Sequence, residues 1–532
     1  MKVRSLFLRL MSLTVLIGAL LATACTSNTP SQESQSSTVS TKPEGSLTIS
    51  ISFARNSIDP VNSPNTFQAL TNGVYDSLIE ITTEGKTRPG LAERWEISPD
   101  GKTHTFYIRK GVKFHDGTDL TGADVKFSLE RMVAPDPAHT DRAVWVRLLD
   151  KVELKDDYTV ALQLKQPLFE MMLGIDAPSG AGATVPKKYF EAKGLDGFLK
   201  APIGSGPWKI VKWEPSIRLE LEANEDYWGT VPKVKKITLL NVTDEATRVA
   251  MLKTGELDLA EVAPDSVSSL KSAGLRILSH DGGSQVMTHM WYDTANPKNW
   301  AIGNVKVRKA LSLGINRKEL ADKLYAGYAE PSAIMYVRPT AYFWDSNLLK
   351  PDPYDPDGAK KLMAEAGYPN GFEAKLWDMG PGVLSSNLVQ AILGYWRAIG
   401  VKADVAVGDY AAVSPNLKDT FPAAWGQFRF PTHGGGVWNF ERVPATYTLT
   451  YYGNKYNSEL DALIAKVLAT KDDAERKKLA LQAAVMAKDN LDTIPVVDVR
   501  TVFAIGKKVG DFKPILGMSG ISAVLNTITI AK

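Results

Sequence analysis

Cysteine is almost missing from this chain: one residue, Cys25, in 532. An intramolecular disulfide is therefore impossible, and the fold must rest on its core. Histidine is scarce too, with six residues at 104, 115, 139, 280, 289 and 433. They lie too far apart for a His-x-x-x-His pair, so no protein-only metal site and no cofactor is legible. His104 and His115, which flank a strand-like run, read as surface or hydrogen-bonded residues. Excess charge is missing as well. Removing residues 1–24 takes away Lys2, Arg4 and Arg9 and no acid, which leaves basic and acidic residues equal in number. Nothing in that balance points to nucleic acid.

Catalytic motifs also fail. No Gly-x-Ser-x-Gly elbow occurs. Gly85-Lys86-Thr87 and Gly101-Lys102-Thr103 resemble the end of a phosphate loop, but the glycine needed five residues earlier is Glu80 in one case and Glu96 in the other. Lys253-Thr254-Gly255 precedes Ser268-Ser269-Leu270-Lys271, the reverse of the order in penicillin-recognising enzymes.

What is present begins with Lys2, Arg4 and Arg9 before an apolar stretch from Leu10 to Leu21, closed by Ala22-Thr23-Ala24-Cys25. That run is shorter than the roughly 20 residues a spanning helix needs, so residues 1–24 read as an export signal. Cys25 then stands first after the cut, where a thioether-linked diacylglycerol would be attached. Ala22-Thr23-Ala24 also suits ordinary signal peptidase at the same bond. The stretch up to residue 45 is rich in Ser, Thr, Gln and Pro, too poor in apolar residues to fold, and reads as a tether.

Beyond it, Leu47, Ile49, Ile51 and Phe53 alternate with polar residues, the period of a half-buried strand. Thr103 to Ile108 reads as another strand, and Val152 to Leu164 as a hairpin turning at Asp156-Asp157. A strand from Ile237 to Val242 is followed by Asp244, a cap for a helix ending near Lys253. Asp355-Pro356 opens an amphipathic helix carrying Ala359, Leu362, Met363 and Ala366, with Gly367 just past its end. Leu388, Ile392 and Ile399 repeat that pattern, as do Leu460, Leu463, Ile464, Val467 and Leu468. The mixture predicts α/β or α+β lobes.

Residues 91–132, LAERWEISPDGKTHTFYIRKGVKFHDGTDLTGADVKFSLERM, resemble the signature region of the family 5 extracellular solute-binding proteins. Further matches follow in order: Gly204-Ser205-Gly206-Pro207-Trp208, Asn224-Glu225-Asp226-Tyr227-Trp228, Thr254 to Asp258, Val305 to Leu311 and Ala364 to Tyr368. The resemblance implies an α/β, two-lobed periplasmic-binding-protein-like fold of class II, the large type with an extra subdomain in the first lobe. On that basis residues 46–285 form lobe I with an insertion at about 81–194, residues 286–494 form lobe II, and 495–532 return to lobe I. The signature itself reads as structural, with Pro99-Asp100-Gly101 in a turn and Phe106, Ile108 and Phe114 in a core.

The resemblance also implies capture of a small-molecule ligand between the lobes and delivery to ABC permease subunits with cytoplasmic ATPases. It implies no enzyme, and together with the lipid anchor read from Cys25 the expectation is a membrane-tethered monomer. An exported serine-type hydrolase is the alternative, and a chaperone-like or signalling receptor on the same scaffold a third reading. The segment that the resemblance places in the cleft holds Trp425, Arg429, His433 and Trp438. It has no Asp or Glu from 425 to 440, whereas peptide binders use an Asp there for the peptide's amino terminus. Nor does a basic residue occur from Met379 to Leu384, where dipeptide binders hold the carboxylate. These four residues are the expected ligand contacts, favouring an uncharged or anionic polar solute. Fractionation tests the anchor: Cys25→Ser is expected to move the protein out of the membrane fraction, and a wild-type protein already soluble there would refute lipidation.

Overall fold

The computed structural model describes residues 42–532 except 52–56, 62–72, 83–86, 136–141, 170–181, 282–283, 291–300, 335–336, 338–342, 379–385, 408–423, 432–457, 492 and 515–521. Phe53, like the segment up to residue 41, lies outside the described residues.

Glu44–Ile51 lies at the centre of a seven-stranded sheet, parallel to Val234–Asn241 on one side and Leu259–Glu261 on the other. The sheet runs on through Arg218–Ala223 to Trp208–Glu214 at one edge, and through Thr501–Ile505 to Arg276–His280 at the other. Thr501–Ile505 is buried along its whole length. Phe503 and Ile505 join the apolar layer on one face, and Val502 and Ala504 the layer on the other. Such two-sided burial is what a continuous apolar run in a central strand produces.

The helix Glu245–Thr254 follows the parallel strand as its cap dictates. The Asp244 carboxylate accepts from Thr247 N, and Gly255 ends the helix in the left-handed region at φ 79°. The second large sheet has six strands, ordered Ala329–Pro331, Thr493–Val499, Ser284–Met290, Ala424–Pro431, Phe372–Asp378 and Val401–Val407. The helices Val305–Leu313, Pro356–Glu365 and Ser386–Ala398 share its core, through Val307, Leu311, Met363, Leu388, Ile392 and Trp396 among others. The Asp355 carboxylate caps Pro356–Glu365 by accepting from Gly358 N, and Gly367 stands beyond its end at φ 92°.

Two buried arginines brace this lobe. Arg308 donates to the carbonyls of Ile302, Gly303 and Asn490, and Arg317 to those of Ser312 and Pro495. Their charge is spent on main-chain oxygens that close the helix ends against the sheet. Burial holds the Arg317 guanidinium down, to about 10, although Asp352 raises it in part.

The signature region folds into a separate four-stranded sheet, ordered Ala92–Ile97, Thr103–Ile108, Thr159–Leu164 and Leu149–Asp156, covered by the helix Gly122–Val133. Leu91, Phe106, Ile108, Phe114, Val125, Leu129 and Met132 are all buried in one cluster. Gly101 turns at φ 70° with its N–H on the Ser98 carbonyl, so the turn and core expected of the signature are present. A buried ion pair fixes that helix to the first lobe, Arg131 meeting Asp59 through both carboxylate oxygens at 3.1 and 2.7 Å.

Chain leaving and returning from this sheet meets at one joint. Gly206 N donates to Val74 O, and a Cβ on Gly204 would stand 2.1 Å from that same carbonyl oxygen, so only glycine permits the approach. His115 clamps the loop, its Nε2 at 2.9 Å from Gly206 O and its Nδ1 accepting from Gly204 N at 3.2 Å. His104 is buried, with Nε2 at 2.8 Å from Leu168 O. Both histidines are hydrogen-bonded, as expected; His104 is fully buried and His115 partly so. At the same joint the Tyr227 hydroxyl and the Trp228 indole N–H donate to the two oxygens of buried Asp76, each at 2.8 Å.

Burial drives the Asp76 carboxyl up to about 7, against the lowering effect of those two donors. It drives the His115 imidazole down to about 4, against the bond to Gly206. The signs follow by linkage. Asp76 binds its proton more tightly when folded, so its contribution is complete below pH 4 and is lost as pH rises to 7. His115 contributes fully above pH 6.5 and loses its share as pH falls towards 4. Asp76→Asn keeps an acceptor at the joint without the charge, so its stability relative to wild type should improve by roughly 4 kcal/mol between pH 4 and pH 7.5. Urea midpoints at the two ends of that range measure the difference; a constant offset would show that Asp76 does not titrate as described.

Candidate ligand cleft and hinge

The chain passes between the two large sheets at two places that lie side by side. Arg276–His280 belongs to the seven-stranded sheet and Ser284–Met290 to the six-stranded one, with Asp281 just after the first strand. Thr493–Val499 and Thr501–Ile505 repeat the passage in the opposite direction, with Arg500 alone between them. The two crossings pair antiparallel on both sides of the gap: His280 opposite Thr501 in one sheet, Gln285 opposite Asp498 in the other.

Arg500 ties the crossings together. Its Nε stands 3.1 Å from Asp281 and its terminal nitrogen 2.8 Å from Glu330 on the neighbouring strand, while its own N–H donates to Tyr328 O. All three side chains are more than a third exposed, which limits the strength of these pairs. Underneath, the His280 ring stacks on Phe503 at 5.8 Å and 6°, and Phe503 meets Phe512 edge-on at 5.0 Å. Charge therefore sits on the wet side of the hinge and aromatic packing on the dry side. Neither Asp281 nor Arg500 was picked out in the sequence. The available signal was Asp498-Val499-Arg500 interrupting two apolar runs, Ile494 to Val497 and Val502 to Ile505.

Of the expected ligand contacts, Trp425 and Arg429 fall on the strand Ala424–Pro431, in the middle of the six-stranded sheet. Trp425 is registered opposite Met290, Arg429 opposite Val286 and Pro431 opposite Ser284. Since Ser284 begins the strand that leaves the hinge, this strand ends at the hinge end of the sheet. Arg429 lies about 13 Å closer to it along the chain than Trp425. His433, Trp438 and Cys25 lie outside the described residues.

The hydrolase motifs serve helix ends. The Thr254 hydroxyl donates to Met251 O of its own helix, and Ser268 to Lys271 lie in the short helix Val267–Ser272, whose Leu270 is buried. Among the described residues no group of three or more His, Cys, Asp or Glu could hold a metal ion, and no helix is long and apolar enough to cross a membrane.

Two sheet-centred lobes joined by a paired double crossing, with an accessory sheet on the first, define the two-lobed α/β solute-binding fold. The profile of the bacterial extracellular solute-binding proteins, family 5 Middle, matches residues 86–457, and the chain belongs to that family. The glutathione-binding protein GsiB of Escherichia coli K12 is 31% identical over 473 residues, covering 86% of this chain and 89% of that protein. Among solved structures, the periplasmic binding protein DppA from Helicobacter pylori in complex with the peptide STSA superposes with a TM-score of 0.78 at 22% identity, covering 92% of this chain and 99% of that one. AgaA from A. tumefaciens, in complex with agropinic acid, does so at 0.76 and 24%, with the same coverage. The chain is thus a solute-binding component of an ABC-type importer.

The hinge geometry separates two contributions. Arg500→Ala should lower stability by less than about 1 kcal/mol, as exposed ion pairs do. Phe503→Ala removes a fully buried ring from the layer beneath and should cost about 3–5 kcal/mol. Guanidinium unfolding compares them, and equal losses would mean that the exposed pairs carry more of the crossing than the aromatic layer.

Proposed function

We propose that this protein captures a small, net-anionic or uncharged polar solute in the cleft between its lobes by hinge closure, and passes it on without chemical change. The observation that carries the ligand class is the lack of any Asp or Glu from residue 425 to 440. A free peptide ammonium buried there would have no carboxylate from this segment to pair with, a cost of several kcal/mol. Arg429 supplies the opposite preference, a planar fork suited to a carboxylate. The three glycines after His433 permit close backbone approach, and Trp425 and Trp438 offer aromatic faces. Glutathione, the ligand named for the relative GsiB, carries two carboxylates against one ammonium and so is net anionic, but its ammonium would need a partner from outside residues 425–440.

On this reading the moving parts are the two sheet-centred lobes, and the hinge lies at the crossings marked by Asp281 and Arg500, a few residues from the boundaries expected at 285/286 and 494/495. The protein works as a monomer, tethered outside the cytoplasm through lipid on Cys25, and meets permease subunits whose cytoplasmic ATPases drive import. Binding energy shifts the open and closed populations and no bond is broken. That the curated relatives are binding proteins supports the lack of turnover.

Titration calorimetry with glutathione, free dipeptides, oligosaccharides and simple dicarboxylates tests the ligand class. An anionic or uncharged solute should bind at least about tenfold more tightly than any dipeptide, and Arg429→Ala should cost an anion about 1.5–3 kcal/mol. Tight dipeptide binding would overturn the class, and unchanged affinity in both Arg429→Ala and Trp438→Ala would remove the segment from the site. Small-angle scattering at saturation with the solute found should show compaction; an unchanged radius of gyration would refute closure.

A further inference from the structure

The accessory sheet touches the second lobe as well as the first. Past the strand Thr159–Leu164, the Phe169 N–H donates to the carbonyl oxygen of Leu468 at 3.1 Å, near the end of the helix Ser458–Ala469. Both partners are held firmly from behind. On the accessory side, Leu168 donates its N–H to Gly101 O and lies under His104 through its carbonyl. The Phe169 ring covers Gly101 so closely that a Cβ there would stand 2.8 Å from it.

On the other side, the helices Ser458–Ala469 and Asp473–Asn490 pack as a pair. Arg476 donates to the carbonyls of Thr470 and Lys471 between them. The far end of the pair is bolted to the second lobe by buried Arg308, which reaches both the carbonyl and the side-chain oxygen of Asn490. Trp145 and Leu168 on the accessory side and Leu460, Ile464, Val467 and Leu468 on the helical pair are buried within a single apolar cluster. At its margin Arg147 lies close enough to Asp461 to favour the ionised carboxylate, although desolvation outweighs it and raises the carboxyl's proton affinity. Residues 42–532 accordingly form one compact body.

We infer that the accessory sheet is a clasp: through Phe169, Trp145 and Arg147 it grips the helical pair of the second lobe, and so biases the lobes towards the closed arrangement before any ligand arrives. This goes beyond the hinge reading and presupposes it. A seam of buried side chains with a backbone hydrogen bond across it opposes opening, and part of the work of closure is then done by the protein itself, which raises the apparent affinity for whatever the cleft takes. The hinge fixes the axis of movement, and the clasp sets how often the lobes part.

The test needs no ligand. Asp461→Arg sets two like charges across the margin of the seam, Arg147 being exposed and position 461 half-buried. In the ligand-free mature chain it should raise the radius of gyration above the roughly 23 Å of a compact chain of this length. It should also speed hydrogen exchange at the Phe169 amide at least about tenfold. The charge swap Arg147→Glu with Asp461→Arg should return both readings to wild type. Wild-type values in the single variant, or failure of the swap to restore them, would overturn the clasp. A single variant that loses its near-ultraviolet circular dichroism and is not rescued by the swap counts against it too. Should the clasp fail, ligand-induced compaction of the wild-type protein still decides the hinge reading independently.

Discussion

The rest of this structure depends on two strands that cross from one sheet to the other while remaining paired to each other. A single crossing would leave the lobes free to rotate about several bonds. Two antiparallel crossings, registered as His280 with Thr501 and as Gln285 with Asp498, remove all but a bending motion across the strands. Arg500 is the sole residue between the sheets on one of them. Everything that a cleft needs, a fixed axis and two walls that meet in one way, follows from that pairing.

Against this frame, the buried charged residues described above turn out to be structural. Arg308 and Arg317 are spent on carbonyls, Arg131 on Asp59, and Asp76 on the donors of Tyr227 and Trp228. Breaking one partner of such a buried pair leaves a desolvated polar group, which is costly. These groups therefore build a scaffold without naming a ligand, and proteins sharing the fold take a peptide in one case and agropinic acid in another.

That division explains what could be read from the sequence. Thr103–Ile108 was legible because His104, Phe106 and Ile108 alternate with half-exposed neighbours. The helices after Asp244 and Asp355 were legible because cap chemistry is local. The hairpin from Leu149 to Leu164 came from its turn residues. What escaped was everything joining distant segments: the Asp76 joint draws on residues 151 positions apart, and Arg500 meets Glu330 across 170. Spacing carries no trace of such pairs in one sequence, since the groups they satisfy are main-chain atoms or lone carboxylates that any fold could supply. The site residues were harder still. Trp425 and Arg429 stand in an ordinary-looking strand, and only its register against Ser284–Met290 brings its end to the hinge.

The buried strand Thr501–Ile505 has a consequence for how the molecule comes into being. It fills the slot between Leu259–Glu261 and Arg276–His280, so the first sheet cannot close until the chain has been made as far as residue 505. Pairings of such long sequence separation are slow to form, because chain entropy must be surrendered before the contacts reward it. A newly made chain would thus linger in an unfinished state, still pliable enough to be threaded through a membrane, and complete its sheet only once its tail has caught up.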